Sequence, residues 1–465
     1  MTAVLEDSRV HDALRFQSRD ATEIRLSEVI AALSYALDLT EGQPEGHAIR
    51  SCSIGMRIAE ELGLDPDLRS ALFYALLLKD LGCSTNASRL CELYAADDIT
   101  AKFNLKTVDW TRPGETLKYV VGNVAPGGTY LEKFRRTVGV AIDGPKGARR
   151  MFETRCERGA DIARVLGFPE QTSEAIRHLD EHWDGRGQPL GLRGEEVSLA
   201  GRILGLAQTA EVFLRQYGVA ECLEMARRRS GTWFDPALVE VFQSLKSDRT
   251  FWAEVATATH RRGLGRYEPQ EKTLTADEDR LDLVAEGFAR VVDAKSPWTF
   301  RHSEGVAAAA VGIAETLGLT ANQIRKLRRA GLLHDLGKLG VSNLILDKAG
   351  KLTDGERLVV QSHAGKSERI LRRVACFSEL ADWAWSHHER LDGRGYPRGL
   401  KDSELPIEVR ILVVADIYDA LSAARPYRGA QPLDKVLGIL NKDSGTAVCR
   451  LCVEALDTHL ERARS

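Results

Sequence analysis

The sequence predicts an all-α protein, and three observations support that prediction. Apolar residues recur at helical spacing in long stretches, for example Val306, Ala310, Ile313 and Leu317, so each stretch can bury one face. The alternation of apolar and polar residues that marks a strand is hardly found. The chain also contains two copies of one pattern, and both copies keep the helical spacing.

The internal repeat is clearest in two glycine-rich runs. DGRGQPLGL at 184–192 and DGRGYPRGL at 392–400 agree at seven of nine positions, at an offset of 208. Nearer the front, GHAIRSCSIGMRIAEELGL aligns with RHSEGVAAAAVGIAETLGL, and ALLLKDLGC with AGLLHDLGK, both at an offset of 255. The difference between the two offsets gives the first copy 47 extra residues between its motif blocks.

The repeat predicts the domain organisation. Residues 21–245 form a first repeat and residues 279–465 a second, with a linker over 246–278, because the run at 260–280 is polar and lacks periodicity. The extra residues fall within 84–150, where the runs at 120–130 and 141–150 contain glycine and proline and are predicted as loops.

Composition limits the classes of partner. The net charge is −3, so no global basic field attracts nucleic acid, and no run of 18 apolar residues exists that could span a membrane. The eight cysteines lack framework spacing, and Cys449 and Cys452 form a CxxC without a partner pair, which favours structural thiols. The polar, acidic start argues against a signal peptide, and we expect a cytoplasmic protein.

Histidines cluster in the second repeat. Five of the 11 histidines fall within 87 residues, namely His302, His334, His363 and the adjacent pair His387 and His388. Carboxylates accompany them in the runs HDLGK and VVADIYDAL. Neutral imidazoles with carboxylates are the ligands that a pair of divalent transition metals requires. A structural role is the alternative for any one of these histidines alone, but not for the combination.

Three motifs in this region carry a family resemblance. HDLGK at 334–338, HHERLDGRGYP at 387–397 and ADIYDALSAARPYR at 415–428 resemble the HD-GYP domain family, a branch of the HD metal-dependent phosphohydrolases. The resemblance covers about residues 279–445 well and the first repeat only in a degenerate form. It implies two tandem HD-type helical bundles, a di- or trinuclear metal centre and hydrolysis of cyclic di-GMP to the linear dinucleotide and then GMP.

The resemblance also assigns site residues. It implies a catalytic role for Asp335, which would bridge the metals around a hydroxide, and for Lys338, which would neutralise phosphate charge. It implies that Tyr396, Arg425 and Arg428 hold the dinucleotide. The implied metal ligands are His302, His334, Asp335, His363, His387, His388 and Asp416.

The resemblance leaves the metals themselves less defined. Some family members bind a third metal through a glutamate one turn before the first histidine, where this chain has Trp298, so we expect two. Mixed nitrogen and oxygen ligation suits Fe or Mn, with Ni, Co or Zn as alternatives.

The first repeat has lost most of this ligand set. Only His47 and Asp80 remain, at the positions of His302 and Asp335. The other five ligands are replaced by Lys79, Arg155, Leu179, Asp180 and Gln208. We therefore predict a folded but inert copy that docks against its sibling or mediates a homodimer, with nucleotide binding without hydrolysis as a further option.

Three functions remain open on sequence grounds. The leading one is a phosphodiesterase that hydrolyses cyclic di-GMP in the second repeat. The second is an HD phosphohydrolase that acts on another cyclic dinucleotide or a nucleotide phosphoester. The third is a signalling scaffold that binds nucleotide or a protein without turnover.

Overall fold

A computed structural model describes residues 24–259, 264–299, 301–423 and 429–464. Within these ranges the prediction of an all-α fold is confirmed, because the regular elements are α-helices and short 3-10 turns, with isolated bridge pairs but no strand. No helix in the described ranges is both long and apolar enough to cross a membrane.

Eleven of the described helices precede residue 260. They are α1 (Leu26–Thr40), α2 (His47–Glu61), α3 (Pro66–Leu78), α4 (Ala87–Tyr94), α5 (Asp98–Leu105), α6 (Pro113–Asn123), α7 (Tyr130–Val165), α8 (Glu170–Arg177), α9 (Leu199–Arg228), α10 (Pro236–Ser244) and α11 (Arg249–Thr257). Nine described helices follow. They are α12 (Glu278–Asp293), α13 (His302–Thr316), α14 (Ala321–Leu333), α15 (Asn343–Leu346), α16 (Asp354–Leu371), α17 (Ser378–Ser386), α18 (Ile407–Ser422), α19 (Leu433–Asp443) and α20 (Arg450–Arg464).

Helices recur at repeat-related positions. The starts of α2 and α13, and of α3 and α14, differ by the front offset of 255, while those of α8 and α17, and of α9 and α18, differ by 208. A 3-10 turn follows α3 at Cys83–Asn86 and follows α14 at Leu336–Gly340. The two halves of the chain therefore present the same sequence of helices around the two motif blocks.

The extra segment of the first repeat is more helical than predicted. It contains α4, α5, α6 and the front of α7. The predicted loop at 120–130 is a turn only between the end of α6 and Tyr130, and the predicted loop at 141–150 is wrong, because helix continues on both sides of one break. That break is at Gly144, with φ 54° and ψ −158°. Pro145 follows it, and proline is well tolerated in the first turn of a new helical segment.

Part of the predicted linker also belongs to the fold. Helix α11 lies within 246–278, and its Phe251, Trp252 and Val255 are buried. It packs against α2 and α9, since those apolar residues share one helix face. Further on, the amide of Leu26 donates to the carbonyl of Leu274 at 2.8 Å, which ties the end of the linker to α1. The division into 21–245, 246–278 and 279–465 otherwise stays a prediction.

The two repeats pack against each other in a reciprocal way. Helix α1 of the first repeat contacts the Leu336–Gly340 turn and α16 of the second. Helix α12, at the matching position in the second repeat, contacts the Cys83–Asn86 turn and α7 of the first. One continuous apolar core runs through both repeats. Each repeat thus buries the first helix of the other against the segment that follows its own third helix.

Candidate metal centre

The seven predicted ligands converge from five helix termini and helix faces. His302 begins α13, His334 and Asp335 directly follow α14, and the adjacent histidines follow α17. His363 lies within α16 and Asp416 within α18. Their donor atoms form three groups, each with all members within 4.8 Å of one another. The groups are His363–His387–His388, His302–His334–Asp335 and His334–His387–Asp416.

Backbone carbonyls fix the orientation of three of the imidazole rings. The Nδ1 atoms of His334, His363 and His387 lie 2.8, 2.5 and 2.6 Å from the carbonyl oxygens three residues earlier. A carbonyl can only accept a hydrogen bond, so each Nδ1 carries the proton and each Nε2 keeps its lone pair. Those Nε2 atoms face the centre of the cluster, which is the arrangement that metal-ligating histidines adopt.

His302 is oriented by a carboxylate that the sequence analysis missed. Its Nδ1 lies 2.6 Å from Asp419 Oδ2, and its Nε2 lies 3.2 Å from Asp416 Oδ1. Asp419 is one helical turn beyond Asp416 on α18, and spacing on one helix face was the signal that could have found it. Gly305 leaves room for this contact, because a Cβ there would lie 1.8 Å from Asp419 Oδ1.

Asp335 lies between two pairs of histidines. Its Oδ2 is 3.3 Å from His334 Nε2 and 3.7 Å from His302 Nε2. Its Oδ1 is 3.3 Å from His363 Nε2 and 3.8 Å from His387 Nε2. The two oxygens of one carboxylate therefore face different ligand pairs, which is the geometry of a bridging ligand.

Burial keeps most of the site's imidazoles neutral. It lowers the pKa of His363 to about 3 and that of His388 to about 4, and it holds the pKa of His387 well below its usual range. Burial would raise the pKa of Asp335, but Lys338 and His334 outweigh it and the carboxyl stays ionised. Neutral imidazole and ionised carboxylate are the protonation states that bind metal.

The donor set fits a metal on structural grounds as well. His334 Nε2 and Asp335 Oδ1 are buried and have no hydrogen-bond partner among the described residues. Buried polar atoms without partners are rare and costly in proteins, and a cation at the centre of the cluster would satisfy both. These residues could hold metal in the N/O environment that first-row transition metals favour.

The HDLGK turn brings Lys338 onto the Asp335 carboxylate. Lys338 Nζ donates to Asp335 Oδ2, with about a fifth of the lysine side chain exposed. The turn packs closely on α16, because a Cβ at Gly337 would lie 2.0 Å from the carbonyl oxygen of His363. The same closeness exists in the first repeat, where a Cβ at Gly82 would lie 1.9 Å from the Arg155 carbonyl oxygen.

Tyr396 is the predicted substrate-binding residue that the structure describes. Its ring lies 4.7 Å from the ring of His388 with a tilt of 31°, so it forms one side of the site. Its loop is held by Glu389, which accepts from the amides of Arg398 and Leu400 at 2.7 and 2.9 Å. Arg425 and Arg428 lie outside the described residues.

Cations occupy the corresponding region of the first repeat. Lys79 pairs with Asp80, and Arg155 pairs with Asp180. Lys106, from the extra segment, lies 2.7 Å from Glu41. Glu41, Asp80 and Cys83 have donor atoms within 4.8 Å of one another, but these ammonium groups already neutralise the two carboxylates.

One feature of the ligand support persists in the first repeat. His47 Nδ1 contacts Glu211, which stands at the repeat position of Asp419. Arg50, at the position of Gly305, donates from Nε to Glu211 Oε1 at 2.6 Å. In the first repeat, the carboxylate at this position, Glu211, thus pairs with a buried arginine as well as with the histidine.

The fold and the site define a class of protein: a tandem helical protein with a histidine–aspartate cluster in its second repeat. A family model described as "HD domain" matches residues 146–238 and 286–448, together more than half of the chain. The chain belongs to this HD family, in the HD-GYP branch that the motifs of the second repeat predict.

Two curated relatives place the chain within that branch. The chain is 45% identical over 432 residues to the 3'3'-cGAMP-specific phosphodiesterase 3 of Vibrio cholerae. This alignment covers 93% of this chain and 94% of the relative. The chain is 35% identical over 187 residues to a cyclic di-GMP phosphodiesterase response regulator of Xanthomonas campestris, covering 38% and 48% respectively.

A solved structure matches along nearly the whole chain. It is the crystal structure of a cyclic GMP-AMP specific phosphodiesterase of Vibrio cholerae, with 40% sequence identity and a TM-score of 0.63. The match covers 94% of this chain and 98% of the other. The similarity therefore includes both repeats.

Proposed function

We propose that this protein is a metal-dependent phosphodiesterase that hydrolyses a cyclic dinucleotide at the histidine–aspartate cluster of its second repeat. The observation that carries the proposal is the convergence of the seven donors, with the two orphaned buried atoms at their centre. We further propose that these seven residues bind two divalent transition metals, Fe or Mn in the first place. The first repeat, in this proposal, lacks a catalytic site of its own.

The preferred substrate in this proposal is 3'3'-cGAMP. The relative with that specificity is similar over 93% of this chain, whereas the cyclic di-GMP phosphodiesterase of Xanthomonas campestris is similar over 38%. This reverses the order that the motifs alone suggested, in which cyclic di-GMP came first. Cyclic di-GMP is the second candidate, because the partial match covers the repeat that contains the site.

The bound metals would supply positive charge at the scissile phosphate and lower the pKa of a water molecule for attack on phosphorus. Asp335 would hold both metals at a fixed separation through its two oxygens. The Nδ1 contacts keep the imidazole lone pairs directed at the centre, so little reorganisation is needed. Asp419 would act as a positioning residue for His302, since it touches the ring and not the substrate.

Two side chains are proposed to act on the substrate itself. Lys338 would place its ammonium group beside the phosphate and stabilise the charge that develops in the transition state. Tyr396 would offer a ring face to a base and a hydroxyl to a phosphate oxygen or sugar. Arg425 and Arg428 are proposed to hold the dinucleotide through phosphate or guanine-edge contacts, as the family resemblance implies.

The direct test is hydrolysis by metal-reconstituted full-length protein. Protein stripped by a chelator and reloaded with Mn or Fe is incubated with 3'3'-cGAMP, cyclic di-GMP and cyclic di-AMP, and the products are separated by chromatography. We expect metal-dependent turnover, fastest with 3'3'-cGAMP, with the linear dinucleotide as the first product. Binding of nucleotide without turnover under every metal would instead support the scaffold function and contradict the proposal.

A further inference from the structure

A cavity opens in the first repeat at the place where the second repeat has its ligand cluster. Arg155, Asp180 and Gln208 line it, and each stands at the repeat position of one of the seven ligands. Lys106 and Trp110 of the extra segment line it as well. The first repeat thus has a pocket at the position of the ligand cluster, and the extra segment forms part of its lining.

Aromatic rings form one wall of the pocket. The ring centroid of Trp110 lies 4.6 Å from the ring centroid of His182 and 5.5 Å from that of Trp233. His182 stacks on Trp233 with 4.0 Å between the ring centroids. Trp233 Nε1 donates to Asp109 Oδ1 at 3.2 Å, which ties the extra segment to the loop after α9. The rings come from three separate segments of the chain and meet at the cavity.

The repeat fold does not require tryptophan at positions 183 and 233. The amide of Trp183 donates to the carbonyl of Trp233 at 3.1 Å, and the matching bond in the second repeat joins Leu391 to Ala447 at 3.3 Å. Trp183 and Trp233 therefore occupy positions where the sibling fold uses leucine and alanine. Both line the cavity, so the large aromatic side chains belong to the pocket rather than to the common core.

Two cationic side chains, Lys106 and Arg155, also line the pocket. Lys106 Nζ lies 2.7 Å from Glu41 and 3.3 Å from the side-chain oxygen of Gln208. Arg155 pairs with Asp180 beside it. Both cations retain some exposure, so an anionic oxygen that enters the pocket could form charge-assisted hydrogen bonds with them. The neighbouring carboxylates could accept from the N–H groups of a heterocyclic base.

One buried polar atom of the pocket lacks a partner. His182 is only 3% exposed, and its Nδ1 has no hydrogen-bond partner within the described residues. Burial lowers the pKa of this histidine to about 3, so the ring is neutral and offers one donor and one acceptor. A ligand with polar ring atoms would satisfy it.

We propose that this pocket of the first repeat binds a purine nucleotide and does not hydrolyse it. The base would pack against the aromatic wall at Trp110, because the Trp233 ring already contacts the His182 ring at 4.0 Å and the Arg229 guanidinium at 4.1 Å. The phosphate would face Lys106 and Arg155. Hydrolysis is excluded in this site because five of the seven ligand positions hold other residues. A purine ring with a phosphate is shared by the cyclic dinucleotide and by its mononucleotide products, so the pocket would sense either substrate or product.

The test uses the full-length chain with Asp335→Ala, which removes turnover and the bridging carboxylate. Isothermal titration measures the binding of GMP, AMP and 3'3'-cGAMP in this background. We expect saturable binding of at least one of them, and the ligand whose binding is weakened by Trp110→Ala tells whether product or substrate is sensed in the first repeat. Adding Trp110→Ala should weaken that binding by about tenfold or more, as expected for the loss of one stacking partner, while Trp110→Phe should retain it.

A matched control is the same substitution in the other repeat. Trp385, which stacks on Arg398 at 4.3 Å, is replaced by alanine in the Asp335→Ala background and should leave the affinity unchanged. Melting curves establish that each variant is folded. The proposal is overturned if none of the three nucleotides binds at millimolar concentration, or if folded Trp110→Ala protein binds them with unchanged affinity.

Discussion

The side chains of the candidate metal centre form two layers: the seven histidine and aspartate donors, and the residues that orient them. The inner layer was predicted from the sequence: five of the seven predicted ligands lie in the runs HDLGK, HHERLDGRGYP and ADIYDALSAARPYR, and the family resemblance adds His302 and His363. The outer layer was not, since Asp419 lies in the run ADIYDALSAARPYR but its contact with His302 depends on the packing of α18 against α13. Asp293 belongs to the same outer layer, and it accepts from Ser303 Oγ at 2.7 Å beside His302.

Asp335 and Lys338 should respond differently to substitution, although they touch each other. Asp335→Ala should abolish turnover and reduce metal content, because both ligand pairs lose their shared carboxylate. Lys338→Ala should keep the metals and lower kcat by about 10²–10³, a typical loss for one charge-stabilising donor. Elemental analysis and steady-state kinetics check both variants. Ordinary activity in Asp335→Ala protein would end the metallohydrolase proposal.

Asp419 should control metal affinity without touching substrate. Asp419→Asn removes the charge that holds the His302 Nδ1 proton, and we expect metal affinity to fall by about 10–100-fold. The matched control is Glu211→Gln, at the same repeat position, which should leave the metal content unchanged. Metal titration under chelator competition measures both. Equal metal affinity in Asp419→Asn and wild-type protein would show that the contact is only structural.

At the scale of elements, the short helix α5 connects the extra segment to the second repeat. Asp98 at its start accepts from the amide of Asn343 at 2.9 Å and lies 3.5 Å from the ammonium groups of both Lys102 and Lys295. Nothing in the sequence predicted this contact, because it joins residues far apart in the chain. The same applies to α11, whose buried Phe251, Trp252 and Val255 pack against α2 and α9 within the predicted linker. The helix around Gly144 differs, because most of residues 141–150 are exposed and local glycine and proline had favoured a loop there.

Replacement of Asp98 should destabilise the whole protein. Asp98→Ala leaves two buried ammonium groups without their carboxylate, and breaking a buried ion pair typically costs about 3–5 kcal/mol. The matched control is the neighbouring Asp97→Ala, which removes an N-cap and should cost about 1 kcal/mol. Denaturant unfolding of the full chain measures both changes. Equal losses for the two variants would contradict the interpretation of Asp98 as a buried connection.

The contribution of Asp98 should also depend on pH. Burial raises the pKa of this carboxyl, but Lys295 and Lys102 outweigh burial and hold the pKa below its ordinary value of 3.8. A depressed pKa in the folded state means that the stabilisation is present above pH 3.8 and is lost as the pH falls below it. We expect the difference in unfolding free energy between wild type and Asp98→Ala to shrink on acidification through this range. A difference that stays constant would contradict the linkage.

At the scale of the whole molecule, the two repeats form one unit. The shared core and the reciprocal packing of α1 and α12 mean that each repeat covers apolar surface of the other. Two hydrogen bonds also join the repeats. Ser84 Oγ donates to the carbonyl of Val291 at 2.7 Å, and the Arg373 guanidinium donates to Glu45 Oε1 at 2.8 Å. The sequence predicted the existence of two related halves, but not the reciprocal contact, which depends on surface shape rather than on any motif.

The isolated second repeat should therefore be impaired. A fragment of residues 275–465 loses the contacts of the Leu336–Gly340 turn with α1, and that turn carries Lys338. We expect it to bind metal but to melt at a lower temperature and turn over more slowly than the full chain. Thermal melting and kinetics on both proteins measure the difference. Identical melting temperature and turnover would mean that the first repeat contributes nothing to the second.

The reciprocal packing of α1 and α12 has a genetic consequence. In an assembly of two identical chains, every substitution enters both active sites, so neither subunit can give up catalysis while the other retains it. A fused duplication removes that constraint, because each half is encoded by its own stretch of DNA. Substitutions can therefore differ between the halves: one has Lys79 and Arg155 where the other has His334 and His363, and Trp183 stands where the other has Leu391. The covalent connection thus allows one half to specialise as the permanent partner of the other.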